Sequence, residues 1–157
     1  MEELVKLLIE KEKTISLMES CTGGGISNAI TSIPDASKVI KFSAVTYSNE
    51  FKIKMGVPES IINQYTVYSM EVAREMAKTI SLYTSSNYGV GVTGKLKKSD
   101  PNNPFGADDV VYLSIYDSDN KENYDIKINL THDTRRDNKE EIIHYFVDKM
   151  LEILKKQ

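Results

Sequence analysis

Residues 14–25 read Thr-Ile-Ser-Leu-Met-Glu-Ser-Cys-Thr-Gly-Gly-Gly, and the order of residue types there decides the fold class. Thr14 to Met18 is a short extended segment. It runs into Glu19-Ser20-Cys21-Thr22 and then into three of the chain's eight glycines. Gly25 to Ser32 follows with a helical pattern that stops before Pro34, a residue that disfavours helix at the position before it. Strand, glycine turn and helix in succession form the building unit of an α/β protein. Such a turn has a physical use, because unpaired N–H groups at a helix start point outward and attract negative charge. It also has a plain structural reading, a tight turn with close packing of helix on strand.

The same alternation continues outward. Glu2 to Glu12 carries Leu4, Leu7 and Leu8 at helical spacing, and Val39 to Tyr47 has the β-branched and aromatic content of a strand. Ser48 to Met55 reads as helix, and Pro58 suits the first turn of another short helix, where a missing N–H costs nothing. Ser69 is an N-cap residue for Met70 to Tyr83, with Val72, Met76 and Ile80 on one face. Tyr88 to Thr93 is a compact strand, and Gly94 to Gly106 has the composition of a loop. Val110 to Tyr116 and Tyr124 to Leu130 flank the turn Asp117-Ser118-Asp119-Asn120 and predict an antiparallel hairpin. Asn138 to Lys156 closes the chain as an amphipathic helix. The expectation is one domain over residues 1–157, a three-layer α/β/α sandwich with a mixed sheet.

Composition narrows the function classes. At 157 residues, 40% hydrophobic and 27% charged, the chain has the make-up of a globular domain with one core. A net charge of −3 offers no general attraction to nucleic acid or to an acidic membrane, so neither is an expected partner. The single cysteine, Cys21, excludes an internal disulfide and a multi-cysteine zinc site, and the spacing of His132 and His144 does not form a metal motif. No cofactor and no metal are called for. No apolar run reaches membrane-spanning length, and Met1-Glu2-Glu3-Leu4 lacks the layout of a signal peptide, which makes the cytoplasm the expected compartment. The oligomeric state is open, a homo-oligomer included.

Chemistry concentrates in two segments. Ser20 is a weak nucleophile until a base takes its proton, and the two histidines lie far along the chain. A second strand end, Thr46-Tyr47-Ser48-Asn49-Glu50-Phe51-Lys52, turns into a helix and brings Lys52. Burial lowers an ammonium pKa, and a serine–lysine pair is an established nucleophile–base arrangement. The competing reading for Lys52 is a solvated surface charge. Cys21 is a competing nucleophile, since a helix N-terminus lowers a thiol pKa. Alternation at a strand end would turn it away from the side that Ser20 faces.

Taken together these stretches resemble the CinA C-terminal domain family, whose characterised members are nicotinamide-nucleotide amidohydrolases. The resemblance rests on Glu19-Ser20-Cys21-Thr22-Gly23-Gly24, on Thr46 to Lys52, on Met55-Gly56-Val57 with Val72 to Ala77, and on Val90-Gly91-Val92-Thr93-Gly94. It implies an α/β/α fold and hydrolysis of the carboxamide of nicotinamide mononucleotide, or a related pyridine nucleotide, to the acid with release of ammonia. It also implies Ser20 as nucleophile, Lys52 as general base and Tyr47 as a proton-shuttling or orienting group. Thr22, Gly23, Gly24 and Thr93 would line the substrate site, and N–H groups of the glycine turn would hold the oxyanion. For Thr93 the alternative is a hydroxyl that caps local backbone.

Two stretches depart from the family pattern. After Val-Thr-Gly, family members typically continue Ile-Ala-Gly-Pro and a further glycine turn, whereas this chain has Lys95-Leu96-Lys97-Lys98-Ser99-Asp100-Pro101. Lys95, Lys97 or Lys98 could hold a phosphate in place of backbone N–H groups, or form a solvated run. A family Gly-Asp-Arg stretch corresponds here to Thr131-His132-Asp133-Thr134-Arg135-Arg136, leaving Arg135 and Arg136 as candidates for the anionic group of the substrate or for surface ion pairs. The alternative function is a catalytically impaired member acting as a nucleotide-binding or protein-interaction module.

Overall fold

A computed structural model describes residues 1–157. The stretch that opens the sequence argument becomes β1 (Ile15–Glu19), and all five of its residues are buried. A strand with no exposed face has to be central. β1 lies between β2 (Ile40–Val45) and β3 (Tyr88–Gly94), parallel to both, and the sheet runs β2-β1-β3-β4-β5. β4 (Val110–Asp117) and β5 (Glu122–Asn129) add the predicted antiparallel hairpin, so the sheet is mixed.

Helices cover both faces. On one side α1 (Glu2–Glu10), α2 (Gly25–Thr31) and α6 (Arg135–Lys156) enclose a 24-residue core around Leu4, Leu8, Ile26, Phe146 and Met150. On the other, α3 (Asn49–Lys54), α4 (Glu59–Tyr65) and α5 (Met70–Thr84) follow one another, and Met18 packs with Val57, Ile62, Val72, Met76 and Ile80. The predicted three-layer α/β/α sandwich is the observed architecture.

One local rule sets the depth of the second layer. A Cβ on Gly91 would sit 2.2 Å from the Ala73 carbonyl oxygen, and one on Gly89 would sit 1.9 Å from that of Ala77. The Gly-x-Gly of β3 thus meets the Ala-x-x-x-Ala face of α5, and backbone packs on backbone where side chains would hold the layers apart. That close approach seats the N-terminal half of α5, and the loop that precedes it, against the carboxyl end of the parallel strands.

Three of the six α-helices start at side-chain caps. Ser48, Ser69 and Thr134 accept from the N–H groups of Phe51, Val72 and Asp137. The last cap corrects the sequence reading, which began the final helix at Asn138. Thr134 and Asp137 bond reciprocally, Oγ1 to Oδ2 at 2.6 Å and N–H to Oγ1 at 3.0 Å, so the helix starts at Arg135, ahead of its apolar stripe. Pro58 is the N-cap of α4 and not its first helical residue, and a 3-10 turn at Ala36–Lys38 carries no periodic signal. No helix is long and apolar enough to cross a membrane.

Candidate functional site

The chain leaves β1 toward β2 on one side and returns to β3 on the other, and a crevice opens beyond carboxyl ends arranged in this way. Register fills it. The Ser20 N–H donates to the Val92 carbonyl at 3.1 Å and the Thr46 N–H to the Glu19 carbonyl at 2.8 Å, which brings the ends of β1, β2 and β3 side by side. A cavity of about 700 Å³ lies there, lined among others by Ser20, Tyr47, Tyr68, Lys98, Asp100 and Arg135.

Lys52 enters from the last turn of α3 and is only 1% exposed. Its Nζ lies 3.1 Å from Ser20 Oγ and donates to the Thr46 carbonyl at 2.7 Å. No carboxylate pairs with it. Burial is the main influence on the amine and lowers its pKa from the ordinary 10.5 to about 8. About a tenth of the molecules therefore carry the free amine at pH 7. With one N–H fixed on Thr46, the lone pair of that amine is available to accept the Ser20 proton. A separation of 3.1 Å is within the reach a nucleophile–base pair requires.

Cys21 contributes to the cavity wall next to Ser20, so the two are not segregated as strand alternation suggests. The thiol nevertheless belongs to the hydrophobic core and is 2% exposed. Burial pushes it up to about 12, which keeps it protonated and unreactive at neutral pH.

The glycine turn differs from its sequence reading. Glu19 is fully buried, and its carboxylate accepts from Thr22 Oγ1 at 2.6 Å, from the Ile26 N–H at 3.1 Å and from the Ser27 N–H at 2.9 Å. The N–H groups at the start of α2 are thereby spent inside the protein and do not face a ligand. Thr22 is a clamp for Glu19, and neither it nor Gly23 nor Gly24 lines the main cavity. The positive φ of Gly23 (62°) and Gly24 (90°) shows what these two residues do: they turn the chain back so that α2 starts over the Glu19 carboxylate. The N–H groups of Cys21 and Thr22 make no hydrogen bond within the protein.

Thr93 is fully buried and does not line the cavity; its hydroxyl donates to the Val67 carbonyl at 3.0 Å, which ties β3 to the loop before α5 and is neither a cap on its own local backbone nor a contact facing the cavity. Arg135 lines the cavity and Arg136 does not. The Arg135 guanidinium donates to the Lys95 carbonyl at 3.1 Å and to the Tyr47 hydroxyl at 3.3 Å, while Arg136 points outward to Glu140. Tyr47 is 65% exposed at the cavity rim, tied to Arg135.

The three loop lysines have three fates. Lys95 is buried, and its Nζ donates to the Gly106 carbonyl and the Asp108 carboxylate, each at 2.9 Å, over the Tyr68 ring. Lys97 is exposed away from the cavity, and Lys98 lines it. Sequence reasoning missed a polar wall. The Tyr68 hydroxyl donates to Asp100 at 2.6 Å, Asn103 donates to the same oxygen at 2.9 Å, and Asn49 donates to Asn103 at 2.8 Å. Asn49 could have been suspected, since it lies in the segment that supplies Lys52. The others are scattered, and only the folded loop brings them together.

The profile of the CinA C-terminal domain matches residues 1–157. The chain belongs to the CinA C-terminal domain family. A CinA-like protein of Endomicrobium trichonymphae is 47% identical over 90 residues, which are 57% of this chain and 21% of that protein. The chain thus spans about a quarter of the length of the curated relatives it matches. Among solved structures, a CinA superfamily protein from Klebsiella pneumoniae superposes with TM-score 0.90 at 16% identity, covering 99% of this chain and 96% of that one. A competence/damage inducible protein from Agrobacterium tumefaciens gives 0.83 at 26% identity, covering 98% and 94%. The five-stranded mixed sheet flanked by helices is therefore the CinA fold.

Proposed function

We propose that the protein hydrolyses the carboxamide of nicotinamide mononucleotide, or a related pyridine nucleotide, to the acid and ammonia. The observation that carries this reading is the buried Lys52 amine, within hydrogen-bond reach of Ser20 and without a carboxylate partner. A lysine kept in the protein interior at the expense of its hydration suits a role that needs the neutral form.

In the reaction, Lys52 Nζ takes the Ser20 proton as Oγ attacks the amide carbon. The carbonyl oxygen becomes an oxyanion, for which the unused N–H group of Cys21, beside Ser20 in the cavity wall, is the candidate donor. Collapse of the tetrahedral intermediate expels the nitrogen, which leaves as ammonia with the proton returned by the Lys52 ammonium. Water, deprotonated by the same amine, then cleaves the acyl-Ser20 ester, releasing the acid and restoring the serine. Arg135 and Lys98 offer positive charge to the nucleotide phosphate from the cavity wall.

Ammonia release from nicotinamide mononucleotide by the purified protein, compared with Ser20→Ala and Lys52→Ala, tests the proposal. Turnover that both substitutions abolish supports it. A protein that binds the nucleotide and releases no ammonia is instead the binding module, and the hydrolytic reading fails.

A further inference from the structure

The loop that departs from the family pattern places an anion in a cavity read as a site for an anionic substrate. Lys95, Lys98 and Arg135 are the cations in the lining, the Lys95 amine already spent on Gly106 and Asp108, and Asp100 is its carboxylate. Asp100 is held ionised, below the usual carboxylate range, first by the Tyr68 hydroxyl and then by Asn103. A fixed carboxylate repels a phosphate and has to meet a donor. A pyridine nucleotide offers two kinds, the amide N–H bonds that belong at Ser20 and the hydroxyls of the ribose.

The acceptor geometry agrees. Oδ2 of Asp100 takes both the Tyr68 hydroxyl and Asn103, whereas Oδ1 takes only the Asn102 N–H at 3.0 Å, which leaves an acceptor position open. Its orientation is fixed in advance. Asn103 is tied to Asn49 on α3, and Lys95 pins the far side of the loop through Gly106 and Asp108. An acceptor that needs no reorganisation discriminates well between a hydroxyl and a hydrogen.

We infer that Asp100 accepts hydrogen bonds from the ribose hydroxyls of the nucleotide and makes residues 98–103 a sugar-selecting wall. This rests on the pyridine-nucleotide reading of the site. Nucleotides lacking one ribose hydroxyl bind less well, and the penalty disappears when Asp100 is removed.

Calorimetric titration of the Ser20→Ala protein with nicotinamide mononucleotide and with its 2′-deoxy and 3′-deoxy analogues reads this without turnover. With Asp100 in place, the ribonucleotide should bind about tenfold or more tightly than at least one deoxy analogue, as befits a hydrogen bond to a charged group. Adding Asp100→Ala should bring that ratio to within about twofold. Asp100→Asn, which retains an acceptor and removes the charge, should give an intermediate ratio. Equal affinities with Asp100 present, or a ratio unchanged in both variants, overturns the assignment. Sugar discrimination in a wild-type protein that releases no ammonia refutes hydrolysis and leaves Asp100 its role. Ammonia release with no discrimination refutes Asp100 alone, and no binding of any of the three nucleotides overturns both.

Discussion

Two lysines are buried near the carboxyl ends of the parallel strands, and their surroundings differ in one respect that decides what each can do. Lys95 meets the Asp108 carboxylate, the carbonyls of Gly106 and Pro104 and the ring of Tyr68, so its donors are taken up. Lys52 faces one carbonyl and one hydroxyl, and burial works against its charge. Lysine burial is therefore no signature of catalysis. A buried ammonium surrounded by acceptors is a staple, and one left short of them is a base in waiting.

The largest expected effect breaks the comparison at its reactive end. Lys52→Met and Ser20→Ala should each lower kcat/KM for ammonia release by about a thousandfold or more, and Lys52→Arg should be no better, since a guanidinium does not give up its proton. The pH dependence comes next. Because the free amine is the active form, kcat/KM in wild type should climb about tenfold per unit below the Lys52 pKa of about 8 and flatten above it.

Replacing the same residue should move stability the opposite way from activity. The amine titrates near 8 in the folded chain against an ordinary 10.5, so between those values the unfolded chain binds more protons and stability rises with pH. The penalty for charging Lys52 is fully present below about pH 8, on the order of 3 kcal/mol. Lys52→Met should raise the melting temperature at pH 6, and the gain should shrink as the pH passes from 8 to 10.5. Thermal melts across that range check this.

At the staple the expectation reverses. Lys95→Met leaves two carbonyls and a carboxylate without their donor, and should cost about 1–3 kcal/mol in denaturant titration while leaving the pH–rate midpoint unmoved. Asp108→Ala is the mildest change. Its carboxylate is 51% exposed, so less than about 1 kcal/mol is expected.

The fold was legible because its signals are local. β1 and the Ser69 cap are written in residue type and period, whereas the Thr134 cap was hidden ahead of the apolar stripe and the Gly-x-Gly of β3 against the alanines of α5 shows only in the fold. Ser20 and Lys52 were candidates by residue type, and only the family resemblance set them above Cys21 and a solvated lysine, since thirty-two positions separate residues that end 3.1 Å apart. What escaped was where hydrogen bonds are spent. A glycine turn before a helix reads the same whether its N–H groups await a ligand or are filled by Glu19, and nothing in sequence marks that carboxylate as buried. Lys95, Lys97 and Lys98 are alike as text, and long-range partners at Gly106 and Asp108 separate them. Arg135 was distinguished from Arg136 by a helix start three residues earlier than the apolar stripe indicates.

The central claim is that the Lys52 amine gives up its proton within reach of Ser20 near neutral pH. Titration of protein labelled with 15N at lysine Nζ, with the Lys52 resonance assigned by its absence from Lys52→Met, reads that proton directly. A midpoint near 8, shifting when Ser20 is replaced by alanine, is what the account predicts. A midpoint at the ordinary lysine value of 10.5, unmoved by that substitution, would contradict it.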